Sequence, residues 1–173
     1  NSALGDYSVI GGGGSSSSGS TGNSALGDYS VIGGGSANTS QNDFAGVFAG
    51  SGNTSSGYYS ILGGGLGNTN ASDLGFIGSG FFNTTSGYDS TIGGGGCNTL
   101  NNLFGGVIAG GRLNTIVGII TNTIGGGFGN NIFTIGPSTI SGGYLNTTRS
   151  DYSTVGGGSL NTIDSITSSG YYV

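Results

Sequence analysis

Apolar residues recur along this chain with a long, even period instead of the 3.6-residue period of a helix. One column of branched aliphatics runs through Ile10, Ile32, Val47, Leu62, Ile77, Ile92, Ile108, Ile124, Ile140 and Val155, with Val107 fitting almost as well as Ile108. Two residues earlier comes a small or polar residue: Ser8, Ser30, Ala45, Ser60, Gly75, Ser90, Gly106, Asn122, Ser138 or Ser153. Glycines usually follow, as in Gly63-Gly64-Gly65. Successive strand residues point to opposite faces, so small, apolar and Gly at alternate positions suit the inside of a narrow coil. The glycines then turn the chain with positive φ at no Cβ penalty. The opposite strand face carries Tyr7, Tyr29, Phe44, Tyr59 and Tyr152, with Val9, Val31 and Ile61 beside them.

The polar positions repeat with the same period. Asn stands at 1, 23, 38, 53, 68, 83, 98, 114, 130, 146 and 161, at intervals of fifteen or sixteen residues after the first. The longer first interval makes 15–22 a loop bulging from one coil. Stacked Asn amides can form a ladder from coil to coil. That gives a structural column of Asn23, Asn38, Asn53, Asn68, Asn83, Asn98, Asn114, Asn130, Asn146 and Asn161. Glycosylation competes, because Asn38, Asn53, Asn70, Asn83 and Asn146 sit in N-x-Ser/Thr sequons. An inward Asn could not be glycosylated, which makes Asn70, off the column, the better candidate.

Fifteen residues are too few for a helical repeat, and abundant Gly disfavours helix. The predicted fold is therefore all-β: a parallel β-solenoid (β-roll or β-helix) with 15–16-residue coils, one domain over 1–173. About eleven coils stacked at ~4.8 Å would make a rod of about 50 Å.

Composition narrows the function. Gly supplies 43 residues, charged residues are 5% of the chain, and His is absent. A weakly charged chain this rich in Ile, Tyr and Phe would aggregate unless it folded. Arg112 and Arg149 are the only basic residues, too few for a nucleic-acid footprint. No run of 18 apolar residues predicts membrane insertion, and the first residues do not read as a signal peptide. Nucleophilic triads need a base, usually His. Asp6, Asp28, Asp43, Asp73 and Asp151 share one repeat position, so they stack along a face instead of converging: a solvated row, or a weak Ca²⁺ or glycan contact. Gly126–Ile132 and Gly64–Thr69 look like calcium-binding nonapeptides but lack the ligand Asp. No catalytic, cofactor-binding or metal-binding residue is assigned, and no enzyme activity is expected. Cys97 reads as a small apolar filler, with an interchain bridge or reactive thiol as the alternative.

The stretches Ser8-Val9-Ile10-Gly11, Ser60-Ile61-Leu62-Gly63, Ser90-Thr91-Ile92-Gly93 and Ser153-Thr154-Val155-Gly156, each near an Asn-Ser or Asn-Thr, resemble the head repeats of trimeric autotransporter adhesins, the YadA-like head. The resemblance covers nearly the whole chain. It implies a left-handed β-roll, three chains side by side, binding a host or matrix surface. Similar repeats occur in viral surface and tail fibres.

The expected function is a structural or adhesive fibre on a cell or virion surface, outside the cell, without catalysis. Its partners would be copies of itself, as a side-by-side homotrimer or an end-to-end polymer, and a host surface or glycan. The aromatic row Tyr7, Tyr29, Phe44, Tyr59 and Tyr152 is the candidate oligomer face, since monomers rarely expose large apolar patches. The alternative is an ice- or surface-binding β-solenoid. It rests on two Thr columns, one from Thr39 to Thr115 and one through Thr91, Thr123, Thr139 and Thr154. A carbohydrate-active β-helix enzyme is a weaker third reading, since it needs acids clustered on long loops.

Overall fold

A computed structural model describes residues 1–14 and 22–164. The chain is an all-β parallel solenoid whose coils lie one above the next. About nine complete coils run from Asn23 to Asn161, with partial coils outside them, where the repeat count suggested about eleven. Most of the predicted 15–22 insertion lies outside the described residues.

Each coil contributes one strand to each of two sheets. Among the described residues, the first sheet has eleven strands, from Ser2–Ala3 to Thr162–Ile163, and the second ten, from Val9–Ile10 to Thr154–Val155. All pairings are parallel, between strands one coil apart in sequence. A third line of contact is a row of single bridges through Ser36, Ser51, Leu66, Phe81, Gly96, Arg112, Phe128, Tyr144 and Ser159. The register puts like on like: Thr54 pairs with Thr69, Thr69 with Thr84 and Thr84 with Thr99. Backbone hydrogen bonds follow the same step, as from Thr54 N–H to the Asn68 carbonyl at 2.8 Å and from Leu66 N–H to Gly80 at 2.9 Å. Most strands have only two residues, because the chain must turn three times in fifteen.

The core holds two inward columns, one aliphatic and one mixed, one more than the sequence pattern gave. The expected column, Ile32 through Ile140, is fully buried, with Val155 nearly so and Ile10 half-buried in the first coil. The second faces it from the first sheet. Its residues pair in the order Ala25, Ser40, Ser55, Asn70, Thr85, Leu100, Ile116, Ile132 and Thr148. The interior is thus polar and small toward the N terminus and aliphatic between Leu100 and Ile132. Three coils in that region, starting at Asn98, Asn114 and Asn130, are sixteen residues long. Their extra residue falls near the end of the first-sheet strand at Leu103 and Ile119, and just after it at Ile135, and is exposed. The same region holds a buried polar cluster: Asn122 Nδ2 donates to Asn102 Oδ1 at 3.3 Å, and Thr134 Oγ1 donates to Asn122 Oδ1 at 3.0 Å.

The corners correct one expectation. Tyr7, Tyr29, Phe44, Tyr59 and Tyr152 do not lie on a strand face. They occupy a corner in left-handed conformation, with φ between 56° and 58°. Most coils use a left-handed residue there, though Thr121 and Pro137 fill the position without one, and at these five corners the chain supplies bulky side chains where Gly would cost least. At another turn glycine is required. Gly65 has φ +97°, and a Cβ on it would lie 2.0 Å from the Gly80 carbonyl oxygen of the next coil.

Candidate functional site

The Asn column is the most fully satisfied feature of the rod. Asn68 is wholly buried. Its Oδ1 accepts from the Asn83 backbone N–H at 2.9 Å and from Asn83 Nδ2 at 3.1 Å. Its Nδ2 donates to Gly64 and Gly80 carbonyls at 2.9 Å each, and to Asn53 Oδ1 at 3.2 Å. Each amide therefore ties the backbone of its own coil to the coils on both sides. The pattern runs from Asn23 to Asn161, and Asn161 is the exposed end of it. Asn70 is corrected: it is not a surface sequon but a buried member of the second inner column. It accepts from Thr85 Oγ1 at 2.7 Å and donates to the Ile61 carbonyl at 3.0 Å.

The acidic row has a structural use that sequence reasoning missed. Asp28 Oδ1 accepts the Asp6 backbone N–H at 2.8 Å, and Asp43 Oδ1 accepts that of Asp28 at 2.9 Å. Asp73 does the same for Tyr58, and Asp151 for Ile135 and Gly136. Each carboxylate caps a corner N–H of the preceding coil. The Asx-turn chemistry of Asp at tight corners was the available signal. Among the described residues, no three acids, Cys or His come together to hold a metal ion, and no helix is long and apolar enough to cross a membrane.

The aromatic row divides. Tyr7, Tyr29, Phe44 and Tyr59 form one stack, with ring centroids 5.1, 5.0 and 4.7 Å apart and planes within 14°. Tyr152 occupies the same repeat position far along the rod. It does not join the stack, because Leu74 and Asp89 take over the corner after Tyr59. Val9, Val31 and Ile61 point outward from the second sheet, with Phe76 and Val107 in the same row.

A larger apolar surface lies elsewhere. Val117 and Phe133 pair on the outside of the first sheet. Leu103, Phe104, Ile119, Ile120 and Ile135 crowd the adjoining corner, all exposed. Of these, Val117, Ile119, Phe133 and Ile135 line a shallow recess bordered by Arg149 and Asp151. Arg149 pairs with Asp164 at 2.8 Å, in an exposed contact worth at most about 1 kcal/mol. The residues were visible in the sequence. Their convergence was not, because it depends on the extra residue in three consecutive coils.

The two Thr columns occupy different sheets. Thr39 to Thr115 sit on the first sheet, while Thr91, Thr123, Thr139 and Thr154 sit on the second, interrupted by Val107. They do not form one flat two-column face. Cys97 is half-buried at a left-handed corner.

No family model matches the chain, and neither the curated proteins nor the solved structures searched include a match to it.

Proposed function

We propose that this chain is a structural and adhesive segment of an extracellular fibre on a cell or virion surface, working as a side-by-side homotrimer. The observation that carries the reading is the distribution of apolar side chains. Large aromatic and aliphatic residues are exposed on both sheets and the corners along the rod, from Tyr7 and Val9 to Phe104, Ile135 and Tyr152. Scattered exposed hydrophobics are ordinary, but contiguous patches usually mark a contact surface. Symmetric association of identical rods buries such patches with one solution. The patch around Val117, Ile119, Phe133 and Ile135 is the primary self-contact, and the aromatic corner from Tyr7 to Tyr59 is the secondary one. The likeness of the Ser-x-Ile-Gly repeats to YadA-like head repeats supports the same arrangement and suggests a host surface or glycan as the outer partner. Sedimentation equilibrium tests the reading: it expects about three times the 16.7 kDa chain mass. A monomer at all concentrations, with no filaments by electron microscopy, would reject it.

A second reading, an ice- or surface-binding solenoid, draws on the register of Thr54, Thr69, Thr84 and Thr99 along the first sheet. Thermal hysteresis in solutions of the purified chain would favour it over the fibre.

A further inference from the structure

We propose that Tyr7 and Tyr29 form an oxidative cross-linking site, a dityrosine staple that ties the first coil to the second. Among the described residues, this is the one ring contact between two tyrosines. The rings lie 5.1 Å apart and within 14° of parallel. Both spring from the same repeat position with the same left-handed backbone, φ 57° and 56°, so equivalent atoms lie over one another. The two phenols therefore project in the same direction from adjacent coils, which puts an ortho carbon of each ring on the facing side of the stack. In the single chain both side chains are exposed, at 78% and 50%, so in dilute protein they are within reach of a diffusible oxidant. The third ring of the stack is Phe44, which has no phenol, so coupling stops at one link and Tyr59 is insulated from it.

The chemistry balances with a one-electron oxidant such as a peroxidase with hydrogen peroxide, or a photosensitiser with persulfate. Each phenol loses one electron to the oxidant and its hydroxyl proton to solvent. The two tyrosyl radicals combine at their ortho carbons, forming one C–C bond. The hydrogen on each coupled carbon then moves to the oxygen, restoring two phenols. The net loss is two electrons and two protons. Holding the rings in contact gives the intramolecular reaction a large advantage over encounter between molecules. The staple covalently joins two neighbouring coils that are otherwise held by backbone hydrogen bonds, such as that from the Tyr29 N–H to the Asp6 carbonyl at 2.8 Å. It also closes the chain segment containing residues 15–21. The proposal goes beyond the fibre reading and does not depend on the trimer.

The test is photo-oxidation of dilute protein with ruthenium tris-bipyridyl and persulfate. It is read by dityrosine fluorescence and by mass spectrometry of peptic fragments. The expected product keeps the mass of one chain less two hydrogens and joins the Tyr7 fragment to the Tyr29 fragment. Tyr29→Phe keeps the ring stack, and its folding is checked by circular dichroism. It should lower the yield of intrachain dityrosine by about tenfold or more. Phe44→Tyr should add a link between positions 29 and 44. Links only between chains, unchanged yield in Tyr29→Phe, or oxidation of other tyrosines without the joined fragment would overturn the proposal.

Discussion

At the residue scale, one buried amide per coil does the work that a long strand does elsewhere. Replacing Asn68 by Ala orphans the Asn83 N–H and the Gly64 carbonyl inside the rod, and leaves the Gly80 carbonyl with the Leu66 N–H alone. Each buried group left without a partner costs about 1–3 kcal/mol. Asn68→Ala is therefore expected to lower stability by several kcal/mol, while Asn161→Ala, at the exposed end of the column, costs far less; urea unfolding of the two variants checks this. The left-handed corners make a second contrast. A bulky residue there carries roughly 1 kcal/mol of backbone strain that Gly relieves. Tyr152 is 70% exposed and outside any stack, so Tyr152→Gly should raise the melting temperature. Phe44 stacks on both sides, so Phe44→Gly trades that relief against two aromatic contacts worth about 0.5–1.5 kcal/mol each and should lower it. The Asn positions were legible in the sequence because they recur at every coil. The left-handed Tyr and Phe were not: aromatic residues suggest a strand face, and their corner position emerges only when the coils close and stack.

At the scale of the coil, stability is unevenly distributed. The second inner column changes from Ala25, Ser40 and Ser55 to Leu100, Ile116 and Ile132. A fully buried Leu or Ile contributes about 2–3 kcal/mol more than a side chain left in water, which Ser cannot match. In a stack where each coil touches only its neighbours, the aliphatic coils become the stable segment. Amide hydrogen exchange should be slowest from Asn98 to Ile140 and faster toward Ser24. Ile116→Ala should cost about 2–5 kcal/mol. Uniform protection along the rod would contradict this account. Half of the core was readable from the aliphatic column two residues after a small residue. The other half was hidden, because its column changes from Ser to Asn to Thr to Leu and so shows no hydrophobic period. The same shift to sixteen-residue coils pushes Leu103, Ile119 and Ile135 outward. The apolar patch is thus a by-product of coil length that no single repeat reveals.

At the scale of the whole molecule, the rod combines an aliphatic core and a backbone-tied Asn ladder inside with many exposed apolar side chains outside. If copies associate through the patch on the first sheet, a charge at its centre should separate them. Ile135 is 66% exposed, so Ile135→Asp should leave the fold intact while shifting sedimentation from trimer to monomer. A trimer that survives the substitution moves the contact to the aromatic corner, where Tyr59→Asp is the corresponding variant. The parallel solenoid itself was legible at this scale, since a fifteen-residue period and abundant Gly leave little else that folds. The arrangement of copies was not, because association depends on which outward residues become contiguous.

The central claim is that coils fifteen residues apart are hydrogen-bonded neighbours in register. Trans-hydrogen-bond scalar couplings measured by NMR on labelled protein test it most directly. The account predicts coupling from the Thr54 nitrogen to the Asn68 carbonyl carbon and from Thr69 to Asn83, matching hydrogen bonds of 2.8 Å. Couplings that instead join residues four apart, or pair Thr54 with a residue outside the next coil, would contradict it.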